Sequence, residues 1–247
     1  MEIWSVALAT FGFLFAGFVK GATGLGFSST CLPFLVLALG VEAALPMVLV
    51  PSLTSNTLVM LEAGHFRQTA NRFFSMYVAA GLGIVIGLFL LVQIDNMIAG
   101  AILGIVLIIY ALYTLAKPEL TLSLKLEAPL RLPVGLGTGI VNGMTGCQLI
   151  PVLPYLMALR LDPNRFIQAI NISFTLSSLL MAIGLTHIGY MTWRIAALSA
   201  LALLPMYIGV RSGNSLRQRM SVATFRTCVL VLLIFLGAVL IARLFAN

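Results

Sequence analysis

Long apolar stretches alternate with short polar turns along the whole chain, and the stretches have the length of membrane helices. A helix needs about 20 apolar residues to cross a bilayer. In the first half the apolar segments are residues 3–19, 27–39, 43–61, 73–92 and 97–116. In the second half they are residues 132–146, 147–159, 166–186, 195–210 and 222–244. The pattern predicts an all-α polytopic membrane protein.

Composition supports a membrane protein and argues against a soluble fold. Of the 247 residues, 61% are hydrophobic and only 9% are charged, whereas a soluble domain carries about 25% charged residues. The net charge of +7 would suggest nucleic acid in a soluble protein. Here the cations lie mostly between the apolar segments, as is typical of cytoplasmic loops. We therefore expect a lipid bilayer as partner and no nucleic acid.

The two halves of the sequence match each other. Residues 17–24 read GFVKGATG and residues 139–146 read GIVNGMTG, so both follow the pattern GxxxGxTG. Further matches follow in the same order, and they pair Thr54 with Thr175, Met60 with Met181, His65 with His187, Arg72 with Arg194 and Gly87 with Gly209. Internal repeats are common in transporters. The sequence predicts repeat 1 at residues 1–116, a cytoplasmic linker at residues 117–131 and repeat 2 at residues 132–247.

The positive charges predict that the two repeats are inverted relative to each other. When the linker is placed in the cytoplasm, alternating crossings put ten loop Lys and Arg residues inside and two outside. Each repeat then contributes one Gly-broken helical hairpin and three transmembrane helices, about eight membrane units together. Segment 27–39 has 13 residues, too few for an upright crossing, so we expect hairpins that meet near the midplane. Both chain termini are predicted to be periplasmic.

The Gly-rich breaks at the hairpin tips form the candidate binding site. Irregular backbone at membrane depth is tolerated where it lines a cavity or is buried by protein, and paired breaks in inverted repeats mark binding sites. Gly21, Gly24 and Gly146 allow positive φ and expose backbone N–H groups that attract an anion. The alternative is close helix packing through small residues. The presence of two matching copies favours the binding site.

Lys20 lies at the first tip, and its repeat partner is Asn142. A lysine near the bilayer centre costs about 2.5–3.5 kcal/mol on insertion scales. That cost suggests that Lys20 attracts an anion and that Asn142 donates to it from the other half. The alternative is that the Lys20 side chain extends to the membrane interface.

Hydroxyl and amide side chains complete the candidate site. They are Thr23, Ser28, Ser29, Thr54, Asn56, Thr145, Gln148, Asn171 and Thr175. Such groups bind oxyanions without a fixed charge, and the alternative is interhelical hydrogen bonding worth about 0.6 kcal/mol each. The apolar segments contain no Asp or Glu pair, which argues against a pump for metal or drug cations. We expect no metal and no cofactor.

Two sequence motifs resemble those of a known transporter family. The stretch GFVKGATGLGF with the downstream Pro33, and GMTG followed by Pro151 and Pro154-Tyr155-Leu156, resemble the TauE/SafE family of sulfite and organosulfonate exporters. In the second motif residues 147–150 stand where the family has glycines and a double proline after TG. The resemblance implies export of a small anion such as sulfite or sulfoacetate across a bacterial inner membrane, and no enzymatic activity.

The expected mechanism is secondary transport by alternating access. No GxxxxGK[ST] loop for ATP occurs in the chain, and outward movement of an anion gains about 2.3 kcal/mol per 100 mV of membrane potential. The main alternative is a permease or channel for another small anion such as a carboxylate. A membrane-embedded enzyme would need a nucleophile–base pair or a metal cluster, and the sequence shows no such group of residues. A scaffold or sensor would be supported by a soluble domain, and the sequence shows none. A homodimer is one assembly that the sequence allows.

Overall fold

The computed structural model describes residues 3–116, 120–217 and 222–245, and these residues form helices and no strand. The helices of the first half are α1 (Ile3–Thr23), α2 (Phe27–Leu39), α3 (Val41–Ala63), α4 (Phe66–Leu91) and α5 (Asn96–Ala116). Those of the second half are α6 (Leu124–Thr145), α7 (Val152–Ala158), α8 (Pro163–His187), α9 (Trp193–Leu201), α10 (Leu203–Arg217) and α11 (Val222–Ala242), and a short 3₁₀ turn (Arg243–Phe245) follows. Part of the predicted linker, residues 117–119, lies outside the described residues.

Within the described ranges, seven helical stretches are long and apolar enough to cross a membrane. They are α1, α3, α4, α5, α8, the combined α9–α10 and α11. Large apolar side chains such as Phe74, Val85 and Phe89 are exposed along α4, as expected of a surface that faces lipid. The prediction of an all-helical polytopic membrane protein is therefore confirmed.

Several element boundaries differ from the sequence prediction. Helix α4 begins at Phe66 rather than at residue 73. Its first two turns are polar, so the apolar pattern does not include them, and a kink at Phe73 joins them to the apolar part. Helix α6 begins at Leu124, inside the predicted linker. Its first turns hold Glu127, which forms ion pairs with Arg72 and Arg131 and so anchors this part of the helix to the bundle. Segment 147–159 is helical only from residue 152 to residue 158, and segment 195–210 is divided between α9 and α10.

Helices from the two halves pack against each other in matched pairs. Helix α1 lies along α10 and α4 lies along α6, while α3 packs on α8 and α5 on α11. At the α4–α6 contact, a Cβ on Gly139 or Gly143 would collide with the backbone of α4 near Gly83 and Gly87. These glycines allow the two backbones to approach closely. The division into two repeats and their inversion stay predictions.

Two prolines break the hydrogen-bond ladder of α3, and a serine from another helix repairs it. Pro51 has no N–H for the carbonyl of Met47, one turn earlier. The Ser199 hydroxyl of α9 donates to that carbonyl at 2.7 Å and accepts from the Val50 N–H at 3.2 Å. Helix α3 therefore continues through the membrane and keeps its polar segment, residues 52–56, beside the first hairpin.

Candidate functional site

Both hairpins break at glycines in the left-handed region of backbone space. Gly24 and Gly26 have φ values of 82° and 85°, and Gly146 has a φ of 72°. The Gly24 N–H donates to the Lys20 carbonyl, and the Gly146 N–H donates to the Asn142 carbonyl, both at 2.7 Å. This conformation ends a helix and favours glycine because a side chain would be strained. The TG pair of each motif therefore ends α1 or α6.

A small cavity lies between the two broken hairpins, and we call it the central cavity. Its volume is about 20 Å³, and its lining consists of Lys20, Leu25, Gly26, Phe27, Ser28, Ser29, Asn56, Gln148, Leu149 and Phe174. These residues come from both hairpins and from α3 and α8. In this conformation the cavity has room for about one water molecule, so a larger ligand needs some widening.

Lys20 projects into the protein rather than towards the membrane interface. Its side chain is 8% exposed, and its ammonium group donates to the Ser55 hydroxyl and to the Asn56 side-chain oxygen, both at 2.8 Å. Of the described carboxylates, none forms an ion pair with Lys20. An ammonium group has three donors, so the third N–H remains for a ligand. A buried cation with neutral partners makes the cavity electropositive.

Serine and amide groups surround the ammonium group of Lys20. The Ser28 and Ser52 hydroxyls are in hydrogen-bond contact, which joins the first hairpin to α3. On the second hairpin, the Gln148 amide nitrogen donates to the Ser178 hydroxyl of α8 at 3.0 Å. These groups supply hydrogen-bond donors and acceptors without an acidic side chain, which suits an oxyanion.

The structure brings five of the predicted site residues together around the central cavity, namely Lys20, Ser28, Ser29, Asn56 and Gln148. The other predicted residues do not line it; they are Gly21, Thr23, Gly24, Thr54, Asn142, Thr145, Gly146, Asn171 and Thr175. Gly21 packs against α10, where a Cβ would collide with the carbonyl oxygen of Val210.

Three of the residues outside the central cavity bond to their own helix. The hydroxyl groups of Thr23 and Thr145 donate to the carbonyls of Val19 and Val141, at 2.8 and 2.6 Å. The Asn171 amide donates to the carbonyl four residues earlier at 2.8 Å. These bonds lie within single helices, so they are neither contacts with a ligand nor the interhelical hydrogen bonds that the sequence analysis gave as the alternative.

Some buried polar groups have no hydrogen-bond partner among the described residues. They include both amide atoms of Asn142, both amide atoms of Gln168 and the Thr175 hydroxyl. A buried donor or acceptor without a partner destabilises the folded state by about 1–3 kcal/mol. Binding of water or a ligand to these groups would therefore be favourable. The sequence analysis did not single out Gln168, although an amide inside an apolar span is itself a signal of a polar role.

A second, larger cavity borders the central one, and we call it the vestibule. It has a volume of about 430 Å³ and shares Leu25, Gly26 and Ser29 with the central cavity. Helices α1, α2, α5, α7, α8 and α11 contribute to its walls, and Arg226 of α11 is its cation. The structure places Arg226, a cation near the start of the last apolar segment, on the vestibule.

A third cavity, the outer groove, lies at the other end of α5 and α11. It has a volume of about 270 Å³, and its lining includes Val36, Gly40, Asn96 and Arg243. Among the described residues that line it, none belongs to the hairpin tips. The vestibule therefore reaches the central cavity in this conformation and the outer groove does not.

Comparison with protein families gives one match, and it covers nearly the whole chain. The family model described as "Sulfite exporter TauE/SafE" matches residues 9–240. The chain belongs to the TauE/SafE family. The matched range includes both hairpins and every residue of the central cavity, so this TauE/SafE protein has its candidate site inside the family region. No curated protein and no solved structure matches the chain.

Proposed function

We propose that this TauE/SafE protein is a secondary transporter that exports a small anion, sulfite or an organosulfonate such as sulfoacetate, across the bacterial inner membrane by alternating access. The observation that carries the proposal is the Lys20 ammonium group, which is buried at a cavity between the two hairpins and has no carboxylate partner among the described residues. Membership of a sulfite exporter family supports the choice of substrate.

The chemistry of the central cavity favours an oxyanion over other small ligands. A buried charge is costly until an opposite charge pairs with it, and an anion beside Lys20 would supply that charge. The neighbouring hydroxyl of Ser28 and the second N–H of the Gln148 amide can donate to additional oxygen atoms, whereas the Ser29 hydroxyl already donates to the Gly26 carbonyl at 3.1 Å. A sulfite or sulfonate group has three oxygen atoms and so suits several donors that converge from different helices.

The arrangement of the cavities suggests how access alternates. If residues 117–131 are cytoplasmic, the vestibule opens to the cytoplasm, because the turn between α7 and α8 lines it. The outer groove then faces the periplasm and is closed towards Lys20. We interpret this conformation as inward-facing, in which a cytoplasmic anion reaches Ser29 first. The matched helix pairs of the two halves, α1 with α10 and α4 with α6, support inverted repeats that rock against each other.

Flux measurements on reconstituted protein test the proposed function. Proteoliposomes would be loaded with labelled sulfite, sulfoacetate or a dicarboxylate, and efflux would be followed over a range of concentrations. We expect efflux of a sulfur anion that saturates with concentration, and counterflow when unlabelled anion is present on the opposite side. Flux that rises linearly without counterflow would indicate a channel, and transport of the dicarboxylate alone would indicate a different substrate class. Either result would contradict the proposal.

A further inference from the structure

The vestibule has one cationic end and walls that are mostly apolar. Its apolar lining consists of Val19, Leu25, Leu153, Met157, Leu161, Pro163, Phe166, Val229, Leu230 and Leu233. Its polar lining consists of Thr23, Gly26, Ser29, Thr30, Tyr110 and Arg226, and no acidic residue is among the described residues that line it. Small-molecule sites typically have this composition, in which apolar walls surround a few polar groups, and volumes of about 300–1,000 Å³.

Arg226 is the group in the vestibule that can bind an anion strongly. It interacts with the Tyr110 hydroxyl, and in the described part of the chain no carboxylate pairs with it. A guanidinium group donates two parallel hydrogen bonds to a carboxylate or sulfonate and is more weakly hydrated than an ammonium group. Arg226 therefore carries a charge that no described carboxylate neutralises, and it lies beside the apolar walls.

The apolar walls distinguish between kinds of anion. A small inorganic anion would give up water on the sides that face Leu230, Leu233 and Phe166 and would gain no hydrogen bonds there. An organic anion would place its charged group at Arg226 and bury its hydrocarbon part against the same walls, which is favourable. The volume of about 430 Å³ is ample for a ligand with several carbon atoms.

We propose that the vestibule is a binding site for an organic anion with an apolar body, whose sulfonate or carboxylate group pairs with Arg226 while its body packs against Met157, Phe166 and Leu230. This inference rests on the proposed function in one respect, since the vestibule is the route to Lys20. It adds a second anion site ahead of the central cavity, and it adds a preference for substrates that carry a hydrocarbon group.

Binding of a series of alkanesulfonates tests this site without measuring transport. The full chain in phosphatidylcholine nanodiscs would be titrated calorimetrically with methanesulfonate, propane-1-sulfonate and hexane-1-sulfonate, with hexan-1-ol as the uncharged control. We expect affinity to rise with chain length, by about fourfold for each methylene that becomes fully buried. Hexan-1-ol should bind much more weakly than hexane-1-sulfonate, because it lacks the charge that pairs with Arg226.

Three variants separate the charged end of the vestibule from its walls. Arg226→Gln should weaken hexane-1-sulfonate binding about tenfold or more, as expected for loss of a charged hydrogen-bond donor. Met157→Ser should reduce the dependence on chain length and leave methanesulfonate binding unchanged; Met157 is an exposed side chain, so the change should not disturb folding. The matched control is Arg194→Gln, which alters an arginine that lies over Trp193 away from all three cavities.

Several results would overturn the vestibule site. Equal affinity for all three sulfonates would show that the apolar walls do not contribute to binding. Equal affinity of the Arg226→Gln and Arg194→Gln variants for hexane-1-sulfonate would show that Arg226 does not bind the anion. Loss of sulfonate binding in phosphatidylglycerol nanodiscs would show that the vestibule binds anionic lipid instead. Failure of the proposed transport function would appear separately, as absence of saturable efflux from proteoliposomes, because these titrations measure binding alone.

Discussion

Ser199 determines whether helix α3 keeps its shape where prolines interrupt it. The hydroxyl group satisfies the carbonyl of Met47 and the N–H of Val50 together, and it is completely buried. Among the described residues, no other side chain bonds to these two backbone groups. The position of Asn56 beside Lys20 depends on the course of α3 through this region.

We therefore expect Ser199→Ala to destabilise the protein by about 1–3 kcal/mol, because two buried backbone groups lose their partner. Equilibrium unfolding in mixed detergent micelles would measure the change. Ser212→Ala is the matched control, since the Ser212 hydroxyl is exposed and bonds only to the carbonyl of Ile208 in its own helix; its effect should stay within about 0.5 kcal/mol. Equal stability of the two variants would show that Ser199 does not support α3.

Lys20 and Gln148 could be identified from the sequence, whereas Ser199 and Arg226 could not be assigned their roles. Lys20 is a charge inside an apolar segment beside a helix-breaking motif, and both features are local. Ser199 acts on residues about 150 positions earlier in the chain, so its partner becomes visible only after folding. Asn142 is predicted as the partner of Lys20 by its repeat position, but its buried amide has no hydrogen-bond partner among the described residues and does not line the central cavity.

At the scale of elements, an ion-pair cluster fastens the start of α6 to the start of α4. Glu127 accepts from Arg72 through both carboxylate oxygens at 2.8 Å and from Arg131 at 2.7 Å. Both arginines also lie against the ring of Phe73, and the Tyr155 hydroxyl donates to the Glu127 carbonyl. The cluster thus connects α4, α6 and α7 at one end of the bundle.

Glu127→Gln should lower the free energy of unfolding by about 1–3 kcal/mol, because the side chain of Glu127 is buried and two arginines lose their counter-charge. The effect is smaller than for a fully buried pair since Arg72 is partly exposed. Asp162→Asn is the control, because its pair with Arg165 is exposed and Asn also caps helices well. A Glu127→Gln variant as stable as the wild type would mean that the cluster adds nothing to stability.

The GxxxGxTG motif has two different roles within one element. Its first two glycines in the second copy, Gly139 and Gly143, pack against α4, whereas the final Gly146 ends the helix with a positive φ. The sequence analysis gave a binding site and helix packing as alternatives for this motif. The spacing alone does not separate them, because both roles require a residue without a side chain. Only the neighbouring backbone shows which glycine has which role.

At the scale of the whole molecule, the cavities follow from how the two broken hairpins meet. Hydrophobic periodicity predicts the spans because each one is a local property of about 20 residues. The vestibule, by contrast, combines residues from α1, α2, α5, α7, α8 and α11, and its apolar lining looks the same in the sequence as a surface that contacts lipid. The two cavities that meet at residues 25, 26 and 29 therefore could not be predicted, although Ser29, which lines both of them, is one of the predicted site residues.

Initial sulfoacetate efflux from proteoliposomes that contain Lys20→Gln tests most directly whether the buried ammonium group binds the transported anion. We expect kcat/KM to fall about ten- to a hundredfold, since a charged hydrogen bond is worth about 1.5–3 kcal/mol. Lys20→Arg should retain part of the activity because it keeps the charge, and Arg194→Gln should resemble the wild type. Efflux by Lys20→Gln at the wild-type rate, in protein that elutes as folded material, would contradict a role for Lys20 in transport.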